Sequence, residues 1–226
     1  MIHVTAQAEP ARFENDVRKP GLEYLKTKKR KAPTGKEWRS HAYWTKIIPD
    51  LYAAYGGICQ FSCHWIPRDT GSINVEHFNP KSKFPKLAYE WTNYRLMCGT
   101  LNGRKKDYQD VLDPFTINDD MFIIDFPSLL VKPGGGLKAA DKTKVNKTIA
   151  RLRLNDAGTC LHAREHWIRS YCENNITFAY LKGKAPFLAR ELERQSLVDR
   201  IKTIMPYGPV TPPLPPPKNK PTSSPK

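Results

Sequence analysis

No stretch of this chain approaches the run of about 18 apolar residues that a membrane-spanning helix requires, so no such helix is expected. Its opening, MIHVTAQAEPARFENDVRKPG, lacks a basic head followed by an apolar core. No secretory signal is read there, and a cytoplasmic location without membrane partners is the expectation. Acidic charge is scarce: 22 Asp and Glu face 37 Lys and Arg, a formal net charge of +15 over 226 residues. That excess suits a polyanion, usually nucleic acid, with basic tails serving only solubility as the alternative. Cysteine is sparse and odd in number: Cys59, Cys63, Cys98, Cys160 and Cys172. Without an export signal this argues against a disulfide framework and for metal ligands or buried thiols. The two histidines four apart, His162 and His166, stand in HAREH rather than H-E-x-x-H, with no evident third ligand. No internal repeat is present.

Residues 1–35 read as an irregular basic arm holding KTKKRKAPTGK, either a solvated linker or an arm on a nucleic-acid backbone. From Glu37 to Tyr55, apolar residues recur at three- and four-residue steps. That pattern predicts an amphipathic helix interrupted or kinked at Pro49 and capped by Gly56 and Gly57. ICQFSCHWIPRDTGSINVEHF carries two aromatic and β-branched runs around the turn-like PRDTGS, which predicts a hairpin. YRLMCGTLNGRKKD follows as a helix or helical turn, and DVLDPFTINDDMFIIDFPSLLVKPGGG adds strands. From Asp141 to about Met205 the pattern is helical in two or three segments. The expected organisation is therefore an arm over 1–35, a core over 36–135, a helical region over 136–205 and a Pro-rich tail over 206–226. The tail cannot pack and reads as disordered or polyproline-like.

Chemistry concentrates at VEHFNPKS, where Glu76 and His77 close a β-like run and poor strand formers follow. Cutting a phosphodiester requires that an attacking water lose a proton and that the leaving 3′-oxygen have its charge neutralised. A histidine takes the proton near neutral pH, and a cation held by oxygen ligands stabilises the leaving group. Glu76 and His77 are followed by Asn93 sixteen residues after the histidine and by Asn102 nine beyond that.

The stretch VEHFNPKSKFPKLAYEWTNYRLMCGTLNGRKKD resembles HNH endonucleases of the ββα-metal fold, in the variant whose third signature residue is Asn. The resemblance is close over about 57–107 and looser over VLDPF and TIARLRLND, which look like parts of bacterial stand-alone HNH proteins. It implies an α+β fold with a ββα-metal unit between an N-terminal helix and a mainly helical C-terminal region. It also implies a general base at His77, one Mg²⁺ or Mn²⁺ on Glu76 and Asn102, and Asn93 bracing the loop that carries His77. Lys105, and less directly Arg104 and Lys106, would meet phosphates. Many such proteins hold structural zinc, for which Cys59, Cys63 and Cys98 are the candidates. Some kin act in anti-phage defence beside an ATPase, in Septu-type or retron-linked systems, so DNA and an ATPase are the implied partners. One metal and one base nick one strand, so cutting both requires a homodimer or scaffold. The alternatives are a non-cleaving DNA-binding module with a degenerate knuckle and an RNase using the same site.

Overall fold

Helix begins earlier than the basic N-terminus suggests. The computed structural model describes residues 1–28, 32–205 and Tyr207. In it a wide helical turn, Glu14–Arg18, runs directly into α1, Lys19–Lys26. Pro20 lies in the first turn of α1, where its missing N–H costs nothing. Phe13, Val17 and Tyr24 are buried on one side. Gly21 lets α1 approach the loop before β2, since a Cβ there would lie 2.2 Å from the ring of Tyr89. The irregular arm expected over 1–35 is thus corrected: the dense charge masked an apolar stripe. The centre of the basic run, 29–31, and the tail from 206 apart from Tyr207 lie outside the described residues.

The single helix predicted over 37–55 is three pieces. These are α2, Gly35–Ser40, entered through a Thr34/Glu37 capping box, a 3₁₀ stretch, Tyr43–Ile47, and α3, Ile48–Ala54. Pro49 lies in the first turn of α3, so the segment is interrupted there rather than kinked. Gly56 and Gly57, at φ +58° and +69°, follow its end.

The strand β1, Ile73–His77, pairs antiparallel with β2, Tyr94–Cys98, placing Glu76 opposite Arg95 and His77 opposite Tyr94. This corrects two expectations. The run before PRDTGS forms only a single bridge between Ile58 and Trp65, and YRLMC is strand rather than helix. A fully buried apolar run carries no period that separates the two conformations, and the true partner lies across a long loop. The helix α4, Gly99–Lys105, leaves directly from β2, so the order is strand, strand, helix.

A second hairpin, β3 (Phe122–Asp125) with β4 (Leu130–Pro133), follows. Five helices follow among the described residues: α5, Ala139–Leu152; α6, Cys160–Cys172; α7, Phe178–Lys184; α8, Pro186–Arg194; and α9, Ile201–Ile204. Two or three were expected. Among the breaks, Pro186 restarts the helix immediately after α7. Helix takes 45% of the chain and strand 10%, so the fold is α+β with helix in excess, as the sequence predicts.

Buried polar side chains join these layers. Arg95, buried on β2, forms a two-pronged ion pair with Asp113 at 2.8 and 2.6 Å, fastening VLDPF to the first sheet. Asn155 pairs with both the N–H and C=O of Val131, tying the end of α5 to β4. The carboxylate of Glu191, fully buried on α8, accepts the Ile124 N–H of β3. No helix among the described residues is long and apolar enough to cross a membrane.

Candidate active site

His77 is the last residue of β1 and lies 5% exposed. Its Nε2 is 2.9 Å from the carbonyl oxygen of Ala88. A carbonyl only accepts, so Nε2 must carry the proton and Nδ1 is left as the basic nitrogen. The hydroxyl of Tyr94 donates to the same carbonyl at 2.9 Å. Edge contacts from Trp44 and Tyr94, at 4.7 and 5.2 Å between ring centroids, fix the plane of the imidazole. Burial, with the positive charge of Lys81 second, pushes its pKa down to about 3. The ring is therefore neutral at physiological pH and Nδ1 is free to accept a proton, while the same burial weakens it as a base.

Asn93 is also buried. Its Oδ1 accepts the Asn79 N–H at 2.8 Å, and its Nδ2 donates to the carbonyls of Asn79 and Leu87, both at 3.0 Å. One amide thus closes both ends of the loop after His77, next to the Ala88 carbonyl that aims the ring.

Glu76, one residue before His77, is 4% exposed. Its Oε1 lies 2.5 Å from the ammonium of Lys105. Burial raises the carboxyl pKa, against the opposing pull of Lys105. Lys105 is itself wholly buried and donates to the Phe78 carbonyl at 3.0 Å and towards that of His77 at 3.4 Å. It therefore steadies the corner from inside and does not face a phosphate, which corrects the contact expected for it. Leu101 and Lys105 are both buried on α4, and four-residue spacing puts them on one helical face. Arg104 is likewise turned inward, donating to the carbonyls of Leu152 and Arg153 and paired with Asp156 at 3.3 Å. Its expected phosphate contact gives way to a role in docking α4 against α5.

Glu76, His77 and Asn102 line one cavity of about 630 Å³ together with Lys106, Arg39 and Lys81. Asn102 reaches it from α4 and Lys106 from the end of that helix. Of the three basic residues expected at a phosphate, Lys106 is the one whose side is open to this cavity. Local pattern missed four neighbours. Lys81 stood within the motif but carried no role, and its ammonium lies 5.2 Å from the Trp44 ring. Trp44 and Arg39 come from far upstream, where no spacing points to His77. Tyr94 read as helical. The Glu76 carboxylate, one oxygen of which is paired with Lys105, and the Asn102 amide oxygen are hard donors lining one cavity, the donor chemistry that Mg²⁺ takes.

No family model matches the chain. It is similar to a Septu protein. Against PtuB of Bacillus thuringiensis it is 24% identical over 166 residues, covering 73% of this chain and 58% of that protein. The chain thus spans less than two thirds of the relative's length, and the likeness is that of a distant relative.

All five cysteines are free thiols. The Sγ of Cys59 accepts the N–H groups of Ser62 and Cys98, both at 3.5 Å. Cys63 turns instead towards the Gln60 carbonyl at 3.9 Å. Among the described residues no three His, Cys, Asp or Glu side chains are grouped to hold a metal ion. Cys59, Cys63 and Cys98, the zinc candidates, are not grouped in this way; Cys59 and Cys63 are buried in the apolar core and Cys98 packs against it, partly exposed. The histidines of HAREH form no metal group either.

Proposed function

We propose that this chain is a metal-dependent HNH-type endonuclease that hydrolyses phosphodiester bonds in DNA. The observation that carries the proposal is the convergence of a neutral, rigidly aimed His77 with Glu76 and Asn102 on one cation-rimmed cavity. Water attacks phosphorus as Nδ1 of His77 takes its proton, and the bond to the 3′-oxygen breaks. Glu76 and Asn102 are the ligands for one Mg²⁺ or Mn²⁺, which when bound supplies positive charge to the phosphate and the departing oxygen. Asn93 and the Ala88 carbonyl hold the imidazole in place, and Lys105 pairs with the Glu76 carboxylate while holding the His77 and Phe78 carbonyls that follow it. Lys81, Lys106 and Arg39 provide the positive rim for the scissile strand.

The biological setting we infer is anti-phage defence in the cytoplasm. The similarity to the Septu protein supports it, as does the HNH resemblance of the Glu76 to Asp107 stretch. That resemblance implies an ATPase partner, and cutting of both strands calls for two copies of the site. The test is incubation of purified protein with supercoiled DNA, single-stranded DNA and RNA, in Mg²⁺, Mn²⁺ or EDTA, beside Asn102→Ala. Metal-dependent conversion of supercoiled to open circular DNA, abolished by Asn102→Ala, is expected. Cleavage of RNA alone would replace this reading with the RNase one. Binding without cleavage in any metal would leave the non-cleaving module.

A further inference from the structure

Beside the candidate active site a second cavity, of about 580 Å³, opens between the end of α4 and α5. Lys106 lines both cavities, so the two are neighbours on either side of that residue. The second is lined by Arg104, Lys106, Lys147, Arg151 and Arg153 against a single carboxylate, Asp110. Arg104 is paired with Asp156 and Arg151 with Asp110. Lys106, Lys147 and Arg153 make no ion pair among the described residues, and both Lys147 and Arg153 are exposed.

The backbone adds an independent observation. Lys106 caps α4 at φ +48° and Arg153 caps α5 at φ +49°, positions where glycine or asparagine is the ordinary choice. At both, a long cation is kept in a conformation that side chains rarely adopt. Gly103 also lines this groove, inside α4, where an added Cβ would meet nothing within 4 Å. A helix-interior glycine is unfavourable, and nothing inside the protein requires this one. Three positions that cost the fold something face the same groove. Each makes sense if a negatively charged chain approaches closely there. Tyr108, 42% exposed and held 3.4 Å from the Arg151 guanidinium, adds a flat wall.

We propose that the α4–α5 groove is the track for the nucleic-acid backbone flanking the scissile bond, with Lys106, Lys147 and Arg153 as phosphate contacts. Resting on the nuclease reading, this assigns the strand's path, running from the His77 cavity past Lys106 into the groove. Phosphate contacts of this kind position the strand without reading its sequence.

The test measures binding of a 30-base-pair DNA duplex by the full chain carrying His77→Ala, which keeps the probe intact, as a function of salt. Lys147→Gln and Arg153→Gly are added singly and together. Glycine suits the left-handed position, so Arg153→Gly removes charge without straining the fold, and thermal melting checks this. Each substitution should weaken binding on the order of tenfold at 0.1 M salt and lower the slope of log K against log salt by about 0.9. The melting temperature should stay or rise for Arg153→Gly. Unchanged affinity and slope in the double variant overturns the track, while cleavage by the otherwise native chain would leave the nuclease reading standing. Conversely, loss of affinity in these variants beside a wild-type chain that never cleaves would keep the track and sink the nuclease. Should Arg153→Gly lower melting, Lys147→Gln decides alone, since its side chain is exposed on α5.

Discussion

Replacing Lys105 by Met separates the two things its ammonium does. Methionine keeps most of the apolar stem but removes the charge 2.5 Å from Glu76 and the donors to the Phe78 and His77 carbonyls. Both members of the pair are almost wholly buried. Breaking such a pair on one side strands a buried charge and costs about 3–5 kcal/mol, whereas removing both charges together costs far less. Lys105→Met should therefore lower stability by roughly 4 kcal/mol at pH 7, about 10 °C in melting for a domain of this size. Adding Glu76→Gln to it should recover part of that loss. The deficit also has a pH signature. A stranded, buried carboxylate has a folded pKa well above its unfolded one, so its penalty is absent below about pH 4 and grows as pH rises. Urea denaturation of the wild type, both single variants and the double variant at pH 7 and pH 4.5 completes the cycle. The reasoning fails if Lys105→Met costs under about 1 kcal/mol at pH 7, or if the double variant equals the sum of the singles.

Three further outcomes are expected. Asn93→Ala leaves the Asn79 N–H and the Asn79 and Leu87 carbonyls without their partner, so it should cost about 2–4 kcal/mol by denaturation. It should also slow cleavage, although Asn93 touches no substrate. Gly21→Ala drives a methyl group into the Tyr89 ring, and differential scanning calorimetry should find about 1–3 kcal/mol lost. His77 is held neutral with a folded pKa of about 3. The unfolded chain takes up a proton below about pH 6.5, so this stability is full above that pH and lost as pH falls towards 3. By pH 4 the loss attributable to His77 should reach up to roughly 3 kcal/mol, and His77→Gln should melt with a correspondingly flatter pH dependence.

What was legible in the sequence is what local chemistry specifies. The corner at Glu76 and His77, the turn residues after it and the two asparagines downstream are near in sequence, and the structure gathers His77, Glu76 and Asn102 at one cavity. Strand pairing was not legible, because β1 bypasses the adjacent aromatic run and pairs with β2 across the loop that Asn93 closes. Helix phase carries more than the motif alone does. Leu101 and Lys105 are four apart, so a buried Leu101 implies an inward Lys105, leaving Lys106 to face out. The N-terminal helix was hidden because charge density outweighed a sparse stripe of Phe13, Val17 and Tyr24. Trp44 packs edge-on against His77 through tertiary contact alone, and no reading of neighbours reveals it.

The most direct measurement is the rate at which this protein nicks supercoiled plasmid in Mg²⁺, set against His77→Ala at equal folded concentration. A positioned general base is worth about 10²–10⁴ in rate, so the substitution should slow nicking by at least a hundredfold while circular dichroism stays native. Nicking at the wild-type rate by His77→Ala would contradict the assignment of the imidazole and, with it, the reading of this cavity as a phosphodiesterase site.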